Sequence, residues 1–387
     1  MRKIALVTTS RADYGIQSRL IRMLQDCPDV EFSLIVSGTH LSKKHGMTIN
    51  EIERDGITIR AKIDIGIDTE SDIAIITSNA ITGFSHSLSK INPEICILLG
   101  DRYEMLAAAI ACTLNNIPIA HIHGGEATQG AFDEAFRHSI TKMSHLHFTS
   151  CEPYRRRVIQ LGESPDRVFN VGALGVENIH KVKLLSREEL SFQLGITFRK
   201  TNFLVTFHPE TNNKGAAGSQ IDELLTALDK FNDSTIIFTH PNADSEGDVV
   251  AEHILQFVNT HSNAYMFSSL GAQRYLSLVK VVDAVVGNSS SGIIEVPSLG
   301  TATVNVGNRE AGRIRAKSVI DCRPDKVSIE EALNIALSND FQTRLKNIEN
   351  PYDKPNTANR ILEILLQFSF KDLLSKSFYD INQTMEM

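Results

Sequence analysis

Gly287-Asn288-Ser289-Ser290-Ser291-Gly292 is the stretch whose residue types point most directly to chemistry. Glycines admit close backbone approach, and Ile293-Ile294-Glu295-Val296 reads as a short helix behind them. Hydroxyls and free N–H groups at a helix start donate to an anion, and the helix dipole favours negative charge there. A phosphate or diphosphate is the natural guest. Plain helix capping is the competing reading, but three consecutive serines exceed what a cap requires. Glu295 lies four residues after Ser291 and faces the same way. Its two acceptor oxygens suit the neighbouring hydroxyls of a ribose; a solvated helix glutamate is the alternative. Arg309 and Arg313 follow the next strand, where a guanidinium fork could neutralise a diphosphate. Arg315 and Lys317 nearby make the stretch generally basic, so plain solvation competes.

The first half supplies acids. Asp101, Glu126 and Asp133 stand at or just after two predicted strand ends. Carboxylates gathered near one cleft can serve as general acid and base once burial or mutual repulsion raises one pKa. Arg11, at the first strand-end turn, could hold a substrate phosphate or lie on the surface. Alone, His208 reads as a capping or core histidine. His121/His123 and His145/His147 each form an HxH, but no further His/Asp spacing completes a metal site, so none is expected. There is no Walker A loop and no GxGxxG, which argues against a P-loop nucleotidase and a dinucleotide dehydrogenase.

Positioning these residues requires strands that end where they begin. Ile4–Val7, Phe32–Val36, Ile95–Leu99, 117–121 and Leu146–Thr149 read as buried strands in the first half. Phe203–Phe207, Thr235–Phe238, Ala284–Val286 and Thr303–Val306 read so in the second. Helical patterns alternate with them, among them 16–27, 105–114 and 357–368. Capping boxes at Ser186/Glu189 and Ser328/Glu331 mark further helix starts. The alternation implies an α/β fold of two Rossmann-like, parallel-sheet domains facing across a cleft. The expected division is 1–175 and 176–387, with the C-terminal helix able to pack back on the first domain. Ligands of such sheets sit beyond the carboxyl ends of the strands.

Composition narrows the class. Among 387 residues, 39 Lys+Arg against 46 Asp+Glu give a formal charge of −7, which argues against a nucleic-acid or anionic-membrane partner. No apolar run approaches the ~18–20 residues of a membrane span, and the N-terminus does not read as a secretory signal. Five cysteines without a CxxC pair fit a reducing cytoplasm. The last residues, 371–387, are expected to fray.

Taken jointly, several motifs resemble one family: Ser10-Arg11-Ala12-Asp13-Tyr14-Gly15, Gly100-Asp101-Arg102-Tyr103-Glu104, His121-Ile122-His123-Gly124-Gly125-Glu126, Arg137-His138-Ser139-Ile140-Thr141-Lys142, Phe207-His208-Pro209-Glu210-Thr211 and the triple-serine loop. These are similar to the bacterial hydrolysing UDP-N-acetylglucosamine 2-epimerases of sialic acid biosynthesis, over residues 1 to about 365. The resemblance implies a fold like the two-domain (GT-B) glycosyltransferases, and no cofactor. It implies the reaction UDP-N-acetylglucosamine + water → N-acetylmannosamine + UDP, through elimination to a 2-acetamidoglucal, and a homodimer or homotetramer. Asp101, Glu126 and Asp133 would be the acid/base set, with His208 a further catalytic candidate. Arg11, His208, Ser289 and Ser290 would bind the diphosphate, with Arg309 or Arg313. Glu295 would hold the ribose, Asn242 would face the uracil, and Gly172 would line the inter-domain floor. The non-hydrolysing branch usually reads Arg-Pro-Glu in the first turn; Arg11-Ala12-Asp13 here favours the hydrolysing one. A sister group acting on a diacetamido-trideoxy sugar for legionaminic acid fits as well. A glycosyltransferase or a silent nucleotide-sugar binder are the readings from other classes.

Overall fold

A computed structural model describes residues 1–129, 133–210, 215–241 and 246–381. It contains two parallel-sheet α/β domains. In the first, β1 (Arg2–Thr8), β2 (Val30–Ser37), β3 (Ile59–Ile63), β4 (Ile95–Leu99), β5 (Ile119–Ile122), β6 (Leu146–Thr149) and β7 (Val168–Asn170) pair in the order β3-β2-β1-β4-β5-β6-β7. In the second, β8 (Thr201–Thr206), β9 (Ser234–Thr239), β10 (Ala264–Phe267), β11 (Ala284–Gly287), β12 (Ala302–Val306) and β13 (Val319–Cys322) pair in the order β10-β9-β8-β11-β12-β13.

The central strands carry buried apolar runs, such as Ile4–Val7 and Ile95–Leu99, because helices cover both faces. Along β1, Ile4 and Leu6 join one core cluster, while Ala5 and Val7 join the cluster on the opposite face. Chain order reverses direction between β1 and β4 in the first sheet, and between β8 and β11 in the second. Such switch points open a crevice at the strands' carboxyl ends. Arg11 and Asp101 follow β1 and β4; His208 and Ser289 follow β8 and β11.

The first unit comprises Met1–Glu126, Asp133–Asn178 and Lys354–Met387; the second comprises Ala127–Phe132 and Ile179–Asp353. The chain thus leaves the first unit after Asn178 rather than at 175, and from Lys354 onward it belongs to the first unit again. The helix Thr357–Gln367 buries Ala358, Ile361 and Leu365 in the same core as Leu20 and Leu24 of the helix Arg11–Asp26.

Two local expectations need correction. The helix at 326–337 is capped by Asp325, whose carboxylate accepts from the Ser328 amide at 2.9 Å, so Ser328 sits inside the first turn. The end of the chain is also tied down as far as Tyr379, whose N–H donates to Gly162 at 2.9 Å.

Candidate active site

Arg137 organises the first unit's switch point. It is carried by the helix Asp133–Met143, is only 1% exposed, and is among the largest fully buried side chains. One guanidinium nitrogen pairs with the Asp101 carboxylate. Another donates to Glu134 at 2.7 Å and to the Glu126 carbonyl at 3.1 Å. A buried cation needs such partners, because desolvation alone would cost several kcal/mol. Arg137 thus ties the Asp101 carboxylate to the Glu126 backbone. Asp133 opens the same helix, but its neighbour Glu134 is the acid that Arg137 and His138 hold, the latter at 3.2 Å. Arg137 and Glu134 are functional candidates that spacing alone did not single out; Arg137 shares the helix's buried face with Ile140 and Thr141.

Glu126 is 3% exposed and accepts from the Ser150 hydroxyl at 2.8 Å. His123 Nδ1 stands 3.5 Å from the same oxygen. The turn that aims them is demanding. His123 has φ +68°, and Gly125 has φ +79°, with the Tyr154 carbonyl 2.5 Å from where a Cβ would sit. Only glycine fits that approach.

Three histidines of the two HxH pairs, His121, His145 and His147, are held by structural contacts. His121 is wedged between the Gly100 carbonyl (2.8 Å) and the Thr141 hydroxyl (3.1 Å), and burial pushes its pKa down to about 3. His145 accepts from the Ile119 amide at 3.1 Å, and His147 meets Glu163 at 3.1 Å. Among the described residues, no group of three or more His, Cys, Asp and Glu could hold a metal ion. At the first turn, Asp13 rather than Arg11 knits the loop, accepting from the Thr9 and Ser10 amides at 2.9 and 2.8 Å. Arg11 pairs with Glu51 at 3.1 Å.

In the second unit the switch point closes on Asn288. Its side chain accepts from the His208 amide at 2.7 Å and donates to the His208 carbonyl at 2.8 Å. This double clamp joins the ends of β8 and β11. Burial, then the charge of Arg309, pushes the His208 imidazole well below its ordinary pKa. Arg309 donates to the Asn288 carbonyl at 3.1 Å and to Glu310 at 2.5 Å. Glu310 is fully buried and also pairs with Arg313. Glu310 is a third residue that spacing did not single out.

The helix after the triple serine is a single turn, Ser291–Ile294, so its dipole contributes little. Ser290 stands at its N-cap without a capping hydrogen bond from its side chain, which removes the capping reading for that hydroxyl. Ser291 instead accepts from Tyr275 at 2.8 Å. Ser289 immediately precedes Ser290 in this turn, and Glu295 closes the helix at its C-cap. Gly172 has φ +95°, and a Cβ there would meet Lys354 at 2.6 Å, so its small size serves the returning C-terminal segment. Asn242 lies outside the described residues.

The family profile described as UDP-N-acetylglucosamine 2-epimerase matches residues 22–366. The chain belongs to that family. Polysialic acid biosynthesis protein P7 of Escherichia coli is 42% identical over 98% of each chain. The GDP/UDP-N,N'-diacetylbacillosamine 2-epimerase (hydrolyzing) of Campylobacter jejuni is 38% identical over 98% of this chain and 99% of its own. The crystal structure of the Neisseria meningitidis UDP-GlcNAc 2-epimerase, bound to UDP-GlcNAc, superposes with a TM-score of 0.80 at 18% identity. That match covers 94% of this chain and 100% of the other, and shows a common fold. In this epimerase-family enzyme, no described helix is long and apolar enough to cross a membrane.

Proposed function

We propose that this enzyme is a hydrolysing UDP-N-acetylglucosamine 2-epimerase, releasing N-acetylmannosamine and UDP. The observation that carries this reading is the content of the two switch points: acids gathered on Arg137 in one sheet, and His208 clamped beside Arg309 in the other.

The chemistry asks for both. The C2–H bond neighbours no carbonyl and is scarcely acidic. Departure of the diphosphate places positive character on C1, and a carboxylate can then take the C2 proton as the C1–O bond breaks. The products are UDP and a 2-acetamidoglucal. Water next adds its oxygen to C1, while a proton returns to C2 on the opposite face, which inverts that centre. Stabilising the leaving group and placing the base are the two tasks.

Asp101 and Glu126 move the protons, with Asp133 and Glu134 at the start of their supporting helix. Ser289, Ser290, His208 and Arg309 hold the diphosphate, with Arg313 and Arg11 as further cations. Glu295 holds the ribose. Because His208 is neutral when nothing is bound, the positive charge comes from the arginines.

A second reading, on a nucleotide-linked diacetylbacillosamine, is favoured by the 38% identity to the Campylobacter enzyme of that name. One experiment separates the two: incubation with each nucleotide sugar alone, followed by NMR. Free N-acetylmannosamine with UDP supports the first reading. Turnover of only the diacetamido substrate selects the second. UDP-N-acetylmannosamine as product overturns the hydrolytic step.

A further inference from the structure

The family profile ends at residue 366, yet the chain beyond it is anchored to the first unit. Lys376 is the anchor. Its ammonium donates to the carbonyls of Lys142 and Ser144 at 2.6 and 2.7 Å, and to both Glu163 oxygens at 3.0 and 2.9 Å. Lys142 and Ser144 straddle the end of the helix Asp133–Met143, so Lys376 neutralises the carbonyls its last turn leaves free. Glu163 is 2% exposed and also receives Lys142 at 2.5 Å and His147 at 3.1 Å. Burial opposes its ionisation, but these partners hold its carboxyl at about 2. Around this centre the strap is fastened repeatedly. Arg167 donates to the Leu373 and Ser375 carbonyls at 3.3 and 3.2 Å. Lys142 lies 4.9 Å from the centre of the Phe378 ring, which crosses Gly162.

We propose that residues 373–379 form a strap that fixes the helix Asp133–Met143 in place, with Lys376 as a positioning residue for the epimerase reaction. The link to turnover rests on the function proposed above. The same helix carries Arg137, which holds Asp101 and the Glu126 backbone, so a shift at its end moves the acids. Displacements of about 1 Å cost up to ~10²-fold in rate, and a loosened helix end should cost about tenfold.

The test compares the full chain with Lys376→Met and Lys376→Arg. Hydrogen exchange of amides 137–144, turnover of the nucleotide sugar and UDP affinity are measured on each. Faster exchange and about tenfold lower turnover in Lys376→Met, with unchanged UDP affinity and recovery in Lys376→Arg, support the strap. Unchanged exchange overturns it. Faster exchange with full turnover overturns the positioning role while leaving the proposed reaction intact, since that reaction stands or falls on Asp101 and Glu126. A fall in melting temperature with exchange, turnover and UDP affinity all unmoved makes Lys376 merely structural and likewise overturns the proposal.

Discussion

The two switch points are charge-inverted copies of one arrangement. In the first sheet a buried cation, Arg137, gathers acids around it; in the second a buried anion, Glu310, gathers Arg309 and Arg313. Both buried groups are almost or wholly withdrawn from water. A buried charge is costly alone but becomes an ordering device when its partners are fixed. The buried residue in each site thus sets where opposite charges stand. In the function proposed above, the acids of the first sheet move protons and the cations of the second receive negative charge. The fold supplies the same crevice twice, and the sign of one buried side chain decides its use.

The comparison is broken most directly in the acidic site. Asp101→Asn and Glu126→Gln keep size and packing but remove the carboxylates to which the proposed reaction assigns proton transfer. Turnover should fall by roughly 10²-fold or more in each. UDP affinity should stay near that of the unchanged enzyme, because the diphosphate is assigned to the other sheet. Steady-state kinetics beside calorimetry of UDP binding checks this. Full turnover in both variants removes the acids from the mechanism.

The basic site should respond in the opposite way. Glu310→Gln leaves two guanidinium groups beside an amide that cannot neutralise them, and their order is lost. UDP should bind about tenfold more weakly, the worth of one charge-assisted hydrogen bond. Uridine, which has no phosphate, should bind as before. Equal weakening of both ligands would mean that Glu310 merely supports the domain.

How far the sequence discloses this contrast follows the same physics. The central strands announce themselves because burial on both faces makes them continuously apolar: Ile95–Leu99 and Leu146–Thr149 are found to the residue. The strands missed are β3, β7, β10 and β13, the four sheet edges, whose residues are largely half-exposed and carry no such run. The strand-end loops were readable because glycine, serine and acid clusters have few other uses. Glu310 and the organising role of Arg137 were not, since a charge inside a helix or a basic loop reads as solvated until its burial is known. The capping box at Ser10 and Asp13 escaped because aspartate stands where glutamate is the usual signal.

The smallest expected effect sharpens the comparison at its histidines. His121 in the acidic half is spent on Gly100 and Thr141 and has no ligand to answer to. His208 in the basic half is held neutral by burial and by Arg309. A diphosphate arriving beside it adds negative charge, which favours the imidazolium and raises its pKa. The bound state then carries more protons than the free one, so UDP affinity should rise as pH falls, by less than about tenfold per unit. Calorimetry of UDP binding in buffers of different ionisation heat reads the proton uptake directly. Uptake should vanish in His208→Asn and persist in His121→Asn. Binding without proton uptake in the unchanged enzyme would place the phosphates away from His208 and leave the arginines as the only answer to their charge.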